Sequence, residues 1–421
     1  MKQRTFPLWA RVIVGVVVGI TLGVAFGRNP WLGPVGNADL GALGMLVIRA
    51  LKALATPLIL VAILDAFLKT RISASSGVRL AAVCAINVSV AMTIGLTLLA
   101  LANPHGTWVE QIGSLASSVN AGAAPKPLDA TLSPLANLAG FIPESLVDPF
   151  SRNLVISVVL VSLLFGAALR SVRDAATGEV AAGMQTLEGL VAAAYAVCTK
   201  AILWVAELMP FAVTGIVADV VGKNGISVFV VLWPFFRIVF LGLTLHALVW
   251  YPLFAWVIGR VPPRRLFREG LDAIVTAVSC NSSLATMPVT LRCLNQMGVR
   301  EAPARLSAAV GTNFNNDGIM LYEAMATLFL CEAMGMDMSF SEQLTVVFAS
   351  IGAGVGIAGI PEAGLIILPL VLAAAGMPEA SIAVAVPLIV PVDWVLARVR
   401  SGVNVLADMT VAIVLDRFEP K

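Results

Sequence analysis

PVDWVLARVRSGVNVLADMT, Pro391–Thr410, sits inside an apolar run that extends over 383–416. Wound at roughly 100° per residue, Asp393, Arg400, Asn404 and Asp408 fall within about 80° of arc on one helix face. Ala397 and Ser401 lie on or beside the same stripe, whereas Arg398 points elsewhere. An ionised side chain at bilayer depth costs a few kcal/mol even on the lenient insertion scale, so such groups face a partner or a cavity. A salt-bridge network holding helices together would account for Asp393 with Arg398 or Arg400. It does less well with Asn404 and Asp408, which carry the stripe two turns further. A polar site within a membrane is the stronger reading.

Composition places that run in a bilayer. Of 421 residues, 59% are hydrophobic and 12% charged, with a mean hydropathy of +0.93. Ordinary soluble domains carry about 25% charged residues. Several apolar runs are long enough to cross a ~30 Å hydrocarbon core, and they do not alternate as β-barrel strands do. The expectation is an all-α polytopic membrane protein with eight transmembrane helices, at 9–27, 38–67, 80–102, 130–170 (broken), 184–221, 226–259, 303–332 and 383–416. The first run resembles a signal peptide but lacks a clear cleavage site and reads as an uncleaved helix. Basic residues from Lys2 and Arg4 through the Arg260–Arg268 cluster to Arg417 fall on one side, and few beyond Arg28, Lys126 and Lys223 on the other. That asymmetry predicts cytoplasmic N- and C-termini in a cell inner or plasma membrane.

Several classes recede. The five cysteines form no CxxC pair and sit in apolar context, as small core residues do. Two histidines build no histidine-rich metal site, and a net charge of +2 implies no nucleic-acid partner. No Ser/His/Asp set, HExxH or Gly-x-Ser-x-Gly is present, which argues against an intramembrane enzyme; no organic cofactor is expected.

Two stretches interrupt the pattern of full crossings. LDAIVTAVSCNSSLATMPVTLRCLNQMGV (271–299) and LTVVFASIGAGVGIAGIPEAGLIILPLVLAAAGMP (344–378) each pair two short apolar arms around a small-residue or Gly/Pro tip. They read as re-entrant hairpins, whose tips are tolerable only where protein or a water-filled cavity satisfies the backbone; two kinked helices are the alternative. The tip SCNSSLATMP (279–288) offers hydroxyl and backbone N–H donors. In GAGVGIAGIPEAG (352–364) the small residues let backbone approach a ligand or act as a gate. Glycine can equally mark close helix packing, the favoured reading of GVVVG at 15–19. The seventh span carries GTNFNNDGIMLYEAM (311–325), where Asn313, Asn315, Asn316, Asp317 and Glu323 interrupt an apolar helix between Gly311 and Gly318. Amide, carboxylate and freed carbonyl oxygens are hard ligands that suit a small cation such as Na⁺. Asparagine-mediated helix pairing is the blander option.

At these residues the chain resembles the dicarboxylate/amino-acid:cation symporter family, which includes excitatory amino-acid transporters. SSLATMPVT (282–290) matches the serine-rich first hairpin, NNDG (315–318) the family's Asn-Met-Asp-Gly-Thr break, and GIAGIPEAG (356–364) the second hairpin. VDWVLARVRSGVNVLAD (392–408) matches the eighth helix, and the likeness begins at RALKALATPLILVAIL (49–64). The resemblance implies an elevator-type inverted-repeat transporter working as a homotrimer. Scaffold helices 1–2 would occupy 1–70 and helices 4–5 residues 128–221. The transport domain would take helix 3 (78–103) and 224–421. Carried over by position, Arg400 would hold a substrate carboxylate through its bidentate fork. Asn404, Ser401, Ala397, Ile319, Ile360, Ser282 and Ser283 would complete the pocket. Na⁺ would bind at Gly311, Asn313, Asn315, Asp317, Asn404, Asp408 and Gly354, and Glu323 would serve proton coupling.

Departures from the family pattern shape the expectation. Ala397 stands where the family has the aspartate that binds the substrate's amino group, and an ammonium without its carboxylate loses several kcal/mol in a desolvated pocket. The amine-free C4-dicarboxylates succinate, fumarate and malate are therefore the first expectation. Glutamate or aspartate, with the amine held by Asp393 or hairpin carbonyls, is the alternative, and an anion channel the more distant one. Ile319 and Asn316 replace the motif's threonine and methionine. On the third helix Cys84, Asn87 and Val88 stand at cation-ligand positions. Asn281 stands where some members place an arginine that Arg398 supplies here.

Overall fold

The computed structural model describes residues 8–69, 74–102, 142–152, 154–357 and 362–418. Among these residues the regular structure is helical, apart from one isolated bridge between Leu32 and Val35. The first three helices are α1 (Leu8–Phe26), α2 (Asn37–Lys69) and α3 (Ala74–Ala102). They match the expected spans within a few residues. The expected broken span at 130–170 lies partly outside the described residues, and its helix is α4 (Val155–Ala175). The expected fifth span is two helices, α5 (Gly178–Ala206) and α6 (Met209–Asn224). Pro210 stands in the first turn of α6, where a proline's missing N–H costs no helical hydrogen bond.

Helix α7 (Ser227–Leu245) runs through a π-helical segment, His246–Trp250, into α8 (Tyr251–Val257). The first hairpin pairs α9 (Pro263–Cys280) with α10 (Ser283–Gln296). It begins earlier than expected because its charged first turns, PRRLFREG, resemble a cytoplasmic loop. The broken seventh span opens with α11 (Glu301–Arg305) and a π-helical segment, Leu306–Gly311. A single turn, α12 (Thr312–Phe314), follows, and the helix resumes as α13 (Asp317–Ala333) after non-helical backbone at Asn315 and Asn316. The second hairpin pairs α14 (Phe340–Gly356) with α15 (Ala363–Ala374). A capping box between Ser339 and Glu342 starts α14. The long α16 (Glu379–Phe418) closes the chain, with Pro387 and Pro391 inside it.

Among the described residues, five helical stretches are long and apolar enough to cross a membrane, among them Ser76–Ala102, Gly178–Val205 and Glu379–Phe418. Their surroundings differ. In α5 only 11% of the most apolar window is buried, so Leu190, Val197 and Trp204 face outward as lipid-facing residues do. In α16 the corresponding figure is 61%, which makes it the axis of the C-terminal half.

Packing follows two patterns. Helices α1 and α2 pack against α6, and α2 also against α4 and α5. Here glycines set the spacing: a Cβ at Gly19 would stand 2.7 Å from the Thr214 carbonyl oxygen, and one at Gly23 would stand 2.7 Å from Val221 Cβ. The GVVVG stretch is thus a close-packing seam. In the second pattern α16 gathers α9, α10, α7, α13 and α15, while α3 and α14 pack on α13.

Candidate functional site

The stripe on α16 faces the two hairpins and the break before α13. Arg400 is 2% exposed, and its Nη1 donates to Asp393 Oδ1 at 2.8 Å and Nη2 to Asp393 Oδ2 at 3.4 Å. The guanidinium lies over the Tyr322 ring, 3.7 Å from its centroid. It also presses on Gly364 of the second hairpin, where a Cβ would come within 2.6 Å of the guanidinium carbon. Charge pairing, ring face and glycine backbone together hold the cation in one orientation. The salt bridge foreseen for the stripe therefore exists, and it leaves guanidinium donors beyond the pair, since arginine carries five N–H groups.

At the next residue, Ser401 Oγ donates to Asn281 Oδ1 at 2.9 Å, and Asn281 Nδ2 donates to Glu362 Oε1 at 3.0 Å. Asn281 ends the first arm of hairpin one with φ 51°, and Glu362 precedes the second arm of hairpin two with φ 59°. Both are buried, so one asparagine joins the two tips and the stripe. Ser282 caps α10 by accepting from Ala285 N at 3.1 Å, and Ser283 Oγ accepts from Thr312 Oγ1 at 3.4 Å. Ala397 and Ile319 are buried in the same region; Ile360 lies outside the described residues.

Asn404 Oδ1 accepts from the Gly318 backbone N–H at 2.9 Å. A Cβ at Gly318 would stand 2.8 Å from the Arg400 carbonyl oxygen, so only glycine admits this contact between α13 and α16. Around the break, Asn315 Oδ1 accepts from Asn87 Nδ2 at 3.3 Å, and Asn87 Oδ1 accepts from Trp250 Nε1 at 2.9 Å. Asp317 Oδ2 accepts from the Tyr251 hydroxyl at 2.8 Å and lies 3.3 Å from His246 Nε2. Asn316 Nδ2 donates to the carbonyls of Gly354 and Ile357. The Gly311 carbonyl accepts from Asn315 N at 2.7 Å, and the Asn313 side chain lies outside the described residues. Ser307 Oγ donates to the Asp408 carbonyl at 2.6 Å.

Among the described residues, buried oxygens with no hydrogen-bond partner include Asp317 Oδ1, Asp408 Oδ1, Asn316 Oδ1 and both carboxylate oxygens of Glu323. A buried acceptor without a donor costs free energy that a bound cation or a proton recovers. The carboxylates of Asp317 and Asp408 thus have the chemistry of Na⁺ ligands. Glu323, fully buried on α13, has both carboxylate oxygens in this unpartnered state.

Sequence reading passed over two features. Glu362 is the lone acidic residue in a tip otherwise of small and apolar residues, and its charge was the available signal. His246, in the π-helical segment, and Tyr251, at the start of α8, close around Asp317 from 71 and 66 residues away in the chain. Only the rarity of histidine in an apolar run pointed to them.

Comparison with known proteins places the chain in a family. The profile of the sodium:dicarboxylate symporter family matches residues 8–418. Human excitatory amino acid transporter 3 is 26% identical over 97% of this chain and 85% of its own length. Rat excitatory amino acid transporter 1 is 37% identical over 40% of this chain and 31% of its own. An excitatory amino acid transporter of Caenorhabditis elegans is 39% identical over 40% of this chain and 33% of its own. The chain belongs to the sodium:dicarboxylate symporter family.

Proposed function

We propose that this protein is a secondary symporter that moves an acidic amino acid, aspartate or glutamate, across a cell membrane with Na⁺. The observation that carries the reading is a buried, oriented Arg400 on the same helix face as Asn404 and Asp408, beside carboxylate oxygens without partners. An anionic solute and a cation placed so close offset each other's charge, which makes joint binding more favourable than either alone.

The similarity to excitatory amino acid transporters supports an amine-bearing solute more than the amine-free one expected first. Glu362 meets the objection raised by Ala397. It is a buried carboxylate on the hairpin tip, with Asp393, Arg398 and Arg400 as its charged neighbours. Under this reading the substrate's distal carboxylate takes the Arg400 donors that Asp393 leaves, and its ammonium faces Glu362. The second reading keeps a C4-dicarboxylate, and the observation favouring it is Ala397 itself, buried where a carboxylate would hold the amine.

The elements around α16, with both hairpins and α3, would travel together as a transport domain (78–103 and 224–421). The elements around α1, α2 and α6 would form a static scaffold (1–70 and 128–221). An elevator motion, eight full crossings, cytoplasmic termini and a homotrimer complete the proposal, as does proton coupling through Glu323. Uptake of labelled L-aspartate into proteoliposomes, competed with unlabelled succinate, tests the solute. Aspartate uptake that succinate inhibits weakly is the expected result. Succinate uptake alone favours the second reading, and a solute-independent current contradicts both.

A further inference from the structure

Helix α14, the first arm of the second hairpin, ends at Gly356. Carbonyls at a helix C-terminus lack intrahelical donors and carry the negative end of the helix dipole. In a membrane interior they need a donor or a cation. Two of them, Gly354 O and Ile357 O, accept from one and the same atom, Asn316 Nδ2, each at 3.0 Å. An amide nitrogen has two hydrogens, so these bonds use its whole donor capacity. The opposite amide orientation would set Oδ1 against two carbonyl oxygens, and the partners therefore fix the assignment.

The backbone makes this reach possible. Asn316 is fully buried, and at φ −83°, ψ 48° it stands outside helical geometry, immediately before α13 resumes. Its side chain is thereby free to turn to the hairpin. An NH2 group and a small monovalent cation satisfy carbonyl oxygens in the same way, and they compete for the same lone pairs. The carboxylates one step away are different: Asp317 Oδ1 and Asp408 Oδ1 have no donor among the described residues. Those carboxylates retain a need for positive charge; the Gly354 and Ile357 carbonyls have theirs met from within the chain, although Asn316 Oδ1 itself has no donor among the described residues.

We propose that Asn316 is a built-in substitute for a cation beneath the second hairpin. Its amide ties Gly354 and Ile357 to the break before α13, so the hairpin closes without a Na⁺ at these carbonyls. The coupling Na⁺ is then confined to the cluster of Asn315, Asp317, Asn404 and Asp408. This deepens the symporter reading, on which it rests for the link between ion number and solute uptake. A carrier built this way couples fewer Na⁺ per solute than one with an open carbonyl site.

The test is a Na⁺ titration of the thermal stability of the purified full-length protein, with choline chloride holding ionic strength constant. Wild type is compared with Asn316→Ala, which removes both bonds and frees both carbonyls. Stabilisation by a ligand grows with its logarithmic concentration in proportion to the number of sites. The variant should therefore show a steeper dependence, equivalent to about one further ion, and lower stability without Na⁺. A slope equal to that of wild type overturns the proposal. If Asn316→Ala does not purify folded, Asn316→Met refills the space without an N–H and carries the same expectation. Uptake measured in parallel separates the two ideas. Wild-type uptake indifferent to Na⁺ contradicts the symporter reading, while the difference in slopes decides the role of Asn316 by itself.

Discussion

The seam between α1 and α6 and the junction of α16 with the hairpins are both built on close backbone approach, yet they use it for opposite ends. At the first, Gly15, Gly19 and Gly23 bring α1 onto the Pro210–Val221 stretch of α6, and what meets there is mostly carbonyl and aliphatic surface. At the second, Gly318 and Gly364 bring backbone against Arg400 and Asn404, so the space saved is filled by charge and amide. Dispersion across a dry seam has one good arrangement, and any shift forfeits contacts. A hydrogen-bonded polar junction can exchange partners with a ligand at small net cost. Under the proposed reading, the α1/α6 seam would be the fixed part and the α16 junction the part that works.

Substitutions can break or sharpen that contrast. The largest effect on uptake is expected of Arg400→Ala, which takes away the partner proposed for the anion and leaves Asp393 buried without its own. Uptake should fall at least about a hundredfold, and stability should drop by about 3–5 kcal/mol, as for other halved buried pairs. Near-normal uptake would remove Arg400 from the site. Next comes Asp408→Asn, which keeps shape and takes away the charge proposed to bind the cation. The Na⁺ concentration for half-maximal uptake should rise about tenfold or more, in keeping with the worth of a charged contact. An unchanged Na⁺ dependence would make Asp408 a structural group.

A smaller effect is expected of Glu362→Gln, which should lower the preference for aspartate over succinate by about tenfold. Ala397→Asp should move preference the other way, by restoring a carboxylate on the stripe. An unmoved profile in Glu362→Gln would remove Glu362 as the ammonium's partner, and an unmoved profile in Ala397→Asp would count against the amine-free reading. The smallest effect on uptake is that of Gly19→Leu. Overpacking the seam should cost about 1–3 kcal/mol in stability, read as a lower melting temperature, while uptake per folded molecule stays as in wild type. A loss of uptake at full stability would show that the seam moves.

How much of this was legible in the sequence depended on whether the signal was periodic. The α16 stripe repeats at helical spacing, so Arg400, Asn404 and Asp408 were placed on one face from their numbers alone. The break at Asn315–Asn316 announced itself through polar residues bounded by glycines. Contacts between distant segments carry no such period: the His246–Asp317 approach and the Asn281 bridge to Glu362 and Ser401 depend on how separate elements meet. Glu362 was hidden by its company, since a tip rich in glycine and alanine reads as one kind of surface. Charge misled at the start of the first hairpin, where Arg264, Arg265 and Arg268 looked like a loop although they line the opening of α9.

The most direct test of the central claim is accumulation rather than binding. Proteoliposomes of the full-length protein, with equal labelled aspartate on both sides and Na⁺ imposed only outside, should concentrate the solute inward until the Na⁺ gradient decays. Equal concentrations that stay equal, with Na⁺ entering regardless, would contradict coupling between the Arg400 site and the cation cluster.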